Sequence, residues 1–510
     1  MNGANGGAAQ LHLKTWQRLL LPSLPSIAAI VVFYLGVAGM GPEALFGDSD
    51  TGWHIVTGER ILETGELPRV DAYSFTKTGQ PWFAWEWLAD VGMAVLHKWN
   101  GLAGVALGAL VVLAAAAWMW CAFALWVGAD AFVMALLMAV AVLASTIHWH
   151  ARPHLVSWLC LISWLWLLEK TPARLSPARL AGMFALMAVW TNLHGSFFLA
   201  FFMAGAYWLQ YWSEDRVRAR VAAVDASVAL AATFCNPYGW QLHAHLARYL
   251  GNSEMLALIS EFQSPNFFGA GGTYLLLLVL TAIAGAALCL QQGQMARGMV
   301  VAMFAAIGLG SARGIPVIAF VALPLAAAAI TRALAGWSRI QGFFEESANF
   351  RRIERQCTGL LPLLAAGILL SIWYSGATMR AKVQFPAKRF PAEAAAAVER
   401  LDNSARLFAP DQYGGYLIYR FGGGRKVFFD GRSDFYGTAF VKDYVDVMAL
   451  KPGWRDKFRR FRITHALLPE NHPLREALEC LGWRRMHGDK TAVLLARPER
   501  EPVSSPCPSP

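Results

Sequence analysis

Long apolar runs recur along the first three quarters of the chain and are its most regular feature. They span about 15 to 22 residues, the length that an α-helix needs to cross the hydrocarbon core of a bilayer. About eleven such runs occur, at positions 22–40, 102–127, 129–147, 154–168, 178–192, 195–212, 220–235, 272–290, 297–311, 314–331 and 358–375. The pattern predicts a polytopic α-helical membrane domain in residues 1–375, with about eleven transmembrane helices.

The composition agrees with this class of protein. Of the 510 residues, 56% are hydrophobic and only 15% are charged, whereas ordinary soluble domains contain about 25% charged residues. The mean hydropathy is +0.39. The net charge of +10 comes from short basic clusters between the apolar runs, as in cytoplasmic loops that set a membrane topology. We therefore predict a multi-pass membrane protein with no nucleic-acid partner.

The basic clusters also predict an orientation. With a cytoplasmic N-terminus, the inner loops carry Lys170, Arg174, Arg179, Arg216, Arg218, Arg220, Arg297, Arg332, Arg339, Arg351, Arg352 and Arg355. This arrangement satisfies the positive-inside bias. The same threading places outside the loop 41–90, the turn 148–154 and the segments 192–195, 236–272 and 311–314. Nearly all the polar signatures fall on one face, which predicts an active or binding surface on the outer side of a bacterial cytoplasmic (inner) membrane.

After residue 375 the composition changes. Predicted strands at 406–409, 426–429, 464–468 and 491–496 alternate with predicted helices at 391–401, 440–450 and 474–481. Such alternation favours a parallel, Rossmann-like sheet. We predict an extracytoplasmic α/β domain over residues 376–498 and, because it is rich in Pro and Ser, a disordered tail at 499–510.

The loop 41–90, called the first loop below, carries two acids at the start of a predicted helix. Asp48 and Asp50 precede apolar positions at Ile55 and Ile61, and this spacing predicts an amphipathic helix lying on the membrane. His54 follows one turn after Asp50 and faces the same corner. Asp50 either caps the helix or takes part in chemistry with its neighbours, and the spacing alone leaves both interpretations open.

The order of motifs in this loop resembles the first outer loop of the GT-C glycosyltransferase superfamily. Asp50 is followed by a helix through His54, a Pro68 turn, Gly79-Gln80-Pro81 and then Trp85-Glu86-Trp87-Leu88. The lipid A aminoarabinose transferase and the protein O-mannosyltransferases have a similar order over about forty residues. Those enzymes generally place a second acid directly after the first, whereas here the partner is Asp48. The resemblance therefore indicates a divergent member.

The resemblance implies transfer of a sugar from a polyprenyl-phosphate carrier to a lipid, glycan or protein acceptor, with Asp50 as the base. Asp48 then orients the acceptor or raises the pKa of Asp50 by like-charge repulsion. Arg152 and Arg313 are lone arginines in outer turns. They either stabilise the phosphate leaving group or extend to the membrane interface. Glu261 is a second catalytic or metal-binding carboxylate, or one half of a helix-end ion pair.

Several further residues are candidates for binding substrate. Beside Arg152 and Arg313 they are His54, Glu86, His154, Asn192, His194, Asp430 and Arg432. Asn192 and His194 are predicted either to bind the sugar or phosphate or to cap a helix. Asp430 and Arg432 are predicted either to contact the acceptor or to form an internal ion pair. A divalent cation (Mg or Mn) is a possible cofactor, although the metal ligands are unknown. Membrane lipids and an unidentified acceptor are the expected partners, and a lipid-linked glycan flippase and a non-catalytic cell-envelope scaffold are the alternative functions.

Overall fold

The computed structural model describes residues 13–498; the predicted tail at 499–510 lies outside this range. The part that precedes the C-terminal domain consists of helices joined by loops. Its helices are α1 Thr15–Leu20, α2 Leu24–Tyr34, α3 Asp50–Thr64, α4 Trp87–Trp126, α5 Ala131–Ser145, α6 His154–Glu169, α7 Pro177–Leu193, α8 Leu199–Glu214, α9 Arg216–Ala232, α10 Trp240–Leu250, α11 Ser253–Leu258, α12 Gly272–Gln291, α13 Met295–Gly310, α14 Ile315–Val317, α15 Leu323–Ala335, α16 Gln341–Glu354, α17 Leu360–Ser375 and α18 Ala377–Lys382.

A helix covers each of the eleven apolar runs that the sequence predicts as spans. Among residues 13–498, five helical stretches are long and apolar enough to cross a membrane, namely Thr15–Gly39, Trp87–Trp126, Ala131–His148, Gly272–Gln291 and Ala312–Ala335. Shorter apolar helices cover His154–Glu169, Met295–Gly310 and Leu360–Leu370. The chain is thus a helical multi-pass membrane protein, and eleven spans remains a prediction.

Helix α3 is not a surface helix on the membrane, which corrects the prediction for the first loop. Every residue from Asp50 to Gly58 is buried. A Cβ at Gly58 would lie 2.0 Å from the Asp90 carbonyl oxygen of α4, and one at Gly52 would lie 2.3 Å from the Gly415 carbonyl oxygen. Two glycines thus let α3 pack backbone to backbone between α4 and the C-terminal domain, and this enclosure fixes the position of Asp50.

The C-terminal domain contains a mixed sheet and not the parallel Rossmann-like sheet that we predicted. Its elements are α19 Ala392–Glu399, β1 Leu407–Phe408, α20 Asp411–Arg420, α21 Ser433–Tyr436, α22 Thr438–Met448, α23 Trp454–Arg460, β2 His465–Pro469, α24 Pro473–Cys480, β3 Arg484–Gly488 and β4 Ala492–Ala496. The strand order is β1-β2-β4-β3. β1 pairs with β2 in parallel, but β2 with β4 and β3 with β4 are antiparallel.

The predicted strand at 426–429 pairs outside the domain's own sheet. Val427 forms an isolated bridge with Ser74 of the first loop, and its N–H donates to the Tyr73 carbonyl oxygen at 2.8 Å. Its carbonyl oxygen accepts from the Phe75 N–H at 3.0 Å. The C-terminal domain is thereby fastened to the first loop directly before residues 430–434.

Candidate active site

A cavity of about 540 Å³ lies where the ends of several apolar helices meet the first loop and residues 430–434. One part is apolar and is lined by Trp158, Leu161, Phe198, Leu199, Phe202, Ile307 and Val317. The other part is polar and is lined by Asp50, Glu86, Arg152, His154, His194, Glu261, Arg313, Arg432 and Asp434. This two-part lining suits a ligand with a hydrocarbon chain and a polar head.

Arg152 is the centre of the polar part. Its guanidinium lies 2.6 Å from Asp48 Oδ2, 3.0 Å from Asp50 Oδ2 and 3.1 Å from Glu261 Oε1. The turn that carries Arg152 is held against the first loop, since Thr51 Oγ1 donates to the Ala151 carbonyl oxygen at 3.0 Å. Two neighbouring carboxylates of the first loop and the distant Glu261 thus converge on one cation.

Arg313 extends this network. Its Nε donates to Glu261 Oε2 at 2.7 Å, and its guanidinium stacks on the Phe262 ring at 4.3 Å from the ring centroid. The side chain is 38% exposed. Arg313 can therefore reach an anion in the cavity while Glu261 and Phe262 orient it.

The three carboxylates around Arg152 have different acidities. Burial raises the pKa of Asp50 to about 7, although Arg152 opposes this. Burial also favours a higher pKa for Asp48 and Glu261, but the Arg152 charge, joined at Glu261 by Arg313, outweighs it and holds both pKa values below the ordinary carboxyl range. Asp50 is thus the carboxylate suited to accept a proton near neutral pH.

Asp48 does not line the cavity, so the first of its two predicted roles, orienting the acceptor, is corrected; its charge does contribute to the raised pKa of Asp50, as the second role predicts. Its Oδ1 accepts the Asp50 N–H at 2.9 Å, and its Oδ2 accepts from Arg152 at 2.6 Å. Asp50 is the first residue of α3 and does not cap it; the N-cap residue is Ser49. Asp48 is a positioning residue that joins the start of α3 to Arg152.

Glu86 is a second carboxyl group in the cavity. It lies 3.4 Å from His194 Nε2 and 3.7 Å from His54 Nε2. Burial raises the pKa of Glu86 to about 8 and lowers the pKa of His194 to about 3. At neutral pH Glu86 therefore keeps its proton and can donate a hydrogen bond, and His194 is uncharged.

Three predicted substrate-binding residues do not line the cavity. His54 is buried behind Glu86, with its Nδ1 2.6 Å from Asp90 Oδ1. Asn192 accepts from the Trp87 indole and donates to two backbone carbonyl oxygens, so its amide is used within the fold. Asp430 is fully buried in an ion pair with Arg432. Each is corrected to a structural role because its polar atoms are satisfied by protein.

Arg432 lines the cavity and also belongs to that internal ion pair. Its Nη2 donates to Asp71 Oδ1 at 2.7 Å, and its Nε donates to Asp430 Oδ1 at 2.7 Å. His154 also lines the cavity, where its Nε2 lies 2.8 Å from the His148 carbonyl oxygen. The Asp71–Arg432 pair ties residues 430–432 to the first loop, so this segment closes the cavity.

The fold has counterparts among solved structures. ArnT from Cupriavidus metallidurans bound to undecaprenyl phosphate aligns over 93% of this chain and 97% of its own, with a TM-score of 0.50 and 15% identity. The apo Archaeoglobus fulgidus oligosaccharyltransferase aligns over 87% of this chain and 69% of its own, with a TM-score of 0.53 and 11% identity. This chain therefore shares its fold with these solved structures. No protein-family model matches the sequence, and no curated protein matches it either.

The acidic residues of this site do not fit a divalent metal ion. Asp48, Asp50 and Glu261 all point to the Arg152 guanidinium, a cation that would repel a metal ion between them. Within residues 13–498, the only group of three or more potential ligands close enough to share an ion is Glu393, His487 and Asp489, away in the C-terminal domain. We therefore derive no step through a metal.

Sequence reasoning missed several residues that shape this cavity. Trp53 and Trp82 line it from the first loop, and Tyr249 lines it from α10. His245 holds Asp434, with its Nε2 2.9 Å from Asp434 Oδ2. No spacing in the sequence links these positions. Their only common signal is that they fall in segments predicted to lie on one side of the membrane.

We expect Arg152→Gln to destabilise the fold strongly. Removing the guanidinium leaves three carboxylates without their shared partner, and breaking a buried ion pair costs about 3–5 kcal/mol. Arg313→Gln is the matched control, because Arg313 is more exposed and Glu261 keeps Arg152 as a partner. Thermal unfolding of the purified proteins in detergent should give the lower midpoint for Arg152→Gln. Equal midpoints would contradict the central role of Arg152.

Proposed function

We propose that this protein is a membrane glycosyltransferase that transfers a sugar from a polyprenyl-phosphate donor to a lipid, glycan or protein acceptor at the outer face of the bacterial cytoplasmic membrane. The observation that carries the proposal is the cavity. Its apolar part suits an isoprenoid chain, and Arg152 and Arg313 at its polar part suit a phosphate. The ArnT structure with undecaprenyl phosphate supports a ligand of this class.

The reaction needs one proton acceptor and one site for the leaving charge. The acceptor's nucleophilic atom attacks the anomeric carbon while its proton passes to Asp50. The bond between the anomeric carbon and the phosphate oxygen breaks, and its electron pair remains on the polyprenyl phosphate. Arg313, oriented by Glu261, and Arg152 stabilise the charge that the phosphate gains. Asp48 holds the start of α3 so that Asp50 stays in place.

The C-terminal domain takes part in this function. Gly431 and Arg432 line the cavity, and the Asp71–Arg432 ion pair fastens them to the first loop. We place both elements on the extracytoplasmic side, because the orientation that puts the basic loops in the cytoplasm puts these two elements on the opposite side of the membrane. The domain then closes the cavity over the reacting groups and limits the access of water.

Binding of undecaprenyl phosphate tests the proposal. We expect the full-length protein in nanodiscs to bind it, and Arg313→Gln to bind it about tenfold more weakly, because a charged hydrogen bond is lost. Arg332→Gln, a partly exposed arginine at the other end of the helical segment 312–335, is the control and should bind like the wild type. Wild-type protein that does not bind the lipid, or equal binding by all three proteins, would overturn the proposal in favour of a scaffold.

A further inference from the structure

One group of cavity residues has no role in holding the phosphate or the hydrocarbon chain. Trp85 packs on Gly195, where a Cβ would lie 2.3 Å from Trp85 Cζ3. Its other neighbour is His245, at 5.9 Å between ring centroids. His245 in turn holds Asp434, and Glu86 follows Trp85 in the chain. We call Trp85, Glu86, Asp434 and His245 the Trp85 cluster.

The carboxyl groups of this cluster offer hydrogen-bonding atoms to the cavity. Asp434 Oδ2 is occupied by His245, whereas Asp434 Oδ1 has no hydrogen-bond partner among residues 13–498. The His245 ring is itself fixed by stacking on Phe83, with 4.9 Å between centroids. Glu86 lies between the charges of Arg152, Asp434, Arg313 and Asp50, all of which influence its pKa. It is thus next to the groups that would hold the phosphate.

This combination of groups matches the surface of a pyranose sugar. A pyranose presents polarised C–H groups on its faces and hydroxyl groups at its rim. The electron-rich face of an indole attracts polarised C–H groups, and carboxyl groups form strong hydrogen bonds with hydroxyls. The sugar of a lipid-linked donor is bonded to the phosphate, so it must lie within a few ångströms of Arg152 and Arg313. Trp85, Glu86 and Asp434 line the same cavity as these two arginines, and the charges of both arginines act on Glu86.

The charges of the cluster restrict the sugar further. Asp434 and Asp50 face the cavity beside the protonated Glu86, whereas Arg152 is shared by three carboxylates and Arg432 by two. Within residues 13–498, no cation at the cluster lacks an acidic partner. A carboxylate on the sugar would therefore meet net repulsion.

We propose that Trp85, Glu86 and Asp434 bind the sugar of the lipid-linked donor, with His245 as a positioning residue, and that this sugar carries no acidic group. The proposal rests on the proposed function, because it assumes that a polyprenyl phosphate occupies the cavity. It goes beyond that function by assigning the sugar-binding residues and the class of sugar.

The test compares lipid with and without a sugar. The probes are undecaprenyl phosphate and undecaprenyl phosphate linked to glucose, mannose, galactose or glucuronic acid, titrated against full-length protein in nanodiscs. For the wild type we expect at least one neutral glycolipid to bind about tenfold more tightly than undecaprenyl phosphate. The glucuronic acid lipid should show no such gain. Asp434→Asn and Trp85→Leu should each lose most of the gain and bind undecaprenyl phosphate as the wild type does.

Two further variants separate positioning from packing. His245→Phe keeps a ring to stack on Phe83 but cannot donate to Asp434, so it should lose the gain. His245→Gln keeps an N–H donor and should retain it. Trp240→Leu, at a site 67% exposed, is the control for Trp85→Leu and should behave as the wild type.

The outcomes distinguish the two proposals. If the wild type binds none of the lipids, the proposed function fails. Three results would show that the Trp85 cluster is not the sugar site. The wild type could bind undecaprenyl phosphate without tighter binding of any neutral glycolipid, or the cluster variants could keep the tighter binding. The cluster variants could also bind all the lipids more weakly by the same factor. A gain for the glucuronic acid lipid would overturn the assigned class of sugar.

Discussion

Replacing Asp50 by Asn is expected to abolish sugar transfer while the protein stays folded. Asn keeps the size of the side chain but cannot accept the acceptor's proton, and general-base catalysis is typically worth about 10²–10⁴-fold in rate. The rate is measured as release of undecaprenyl phosphate from undecaprenyl-phosphate-linked sugars in the presence of a bacterial membrane extract that supplies acceptors. Asp456→Asn, at a position 84% exposed, is the control and should retain full activity.

The pH dependence gives an independent test of the same residue. Asp50 works as a base only when it is ionised, and burial raises its pKa to about 7. Activity should therefore rise as the pH increases through about 7, because the ionised fraction increases. Glu86, with its pKa raised by burial to about 8, keeps its proton below that value, so a decline above about 8 is expected if its hydrogen bond is needed. Full activity of Asp50→Asn, or a wild-type rate that does not change between pH 6 and 8, would contradict the assignment.

The sequence could predict the convergence of charged residues because membrane topology restricts where they lie. Asp50, Arg152, Glu261 and Arg313 are separated by up to 263 positions, yet run length and basic-residue bias put all four on one side of the membrane. The structure brings them to one end of one cavity. The ion pairs of Arg152 with Asp50 and Glu261, and of Arg313 with Glu261, hold them together there.

Topology could not predict which way each side chain points. Asn192 and His194 are two residues apart, yet His194 lines the cavity and Asn192 binds the Trp87 indole and backbone carbonyls. The sequence predicts His54 in the corner with Asp50, but the residues from Asp50 to Gly58 are all buried. His54 therefore packs against protein, with its Nδ1 2.6 Å from Asp90 Oδ1, and does not line the cavity. The direction in which a side chain points depends on tertiary packing, and the hydropathy pattern of a sequence contains no information about it.

The C-terminal domain shows the same limit for backbone pairing. The residues 426–429 have the composition of a strand, but Val427 bridges to Ser74, far away in the sequence. The segment Asp411–Arg420 contains two glycines, which disfavour a helix, yet it forms α20. The reason is close approach: a Cβ at Gly415 would lie 2.2 Å from the Ser49 carbonyl oxygen of the first loop. The helix therefore forms despite its low intrinsic propensity, because a tertiary contact requires glycine at this position.

Gly431→Ala is the second substitution from which we expect a large loss of activity. Gly431 lies against the carboxylate of Asp50, and a Cβ at this position would be 1.9 Å from Asp50 Oδ1. Gly431 cannot move away freely, because the Arg432 ion pairs with Asp430 and Asp71 fix its neighbours. Asp50 must therefore shift, and a displacement of about 1 Å in a catalytic group can lower the rate by about 100-fold.

The same activity assay and a thermal unfolding curve check this prediction together. Gly431 lines an open cavity, so displacement of Asp50 relieves the clash and the unfolding midpoint should stay near that of the wild type. Gly182→Ala is the matched control, since a Cβ at Gly182 has no atom within 4 Å, and its activity should not change. If Gly431→Ala is as active as Gly182→Ala, the carboxylate of Asp50 does not need its observed position. Such a result would also show that the contact between Gly431 of the C-terminal domain and Asp50 is not needed for the reaction.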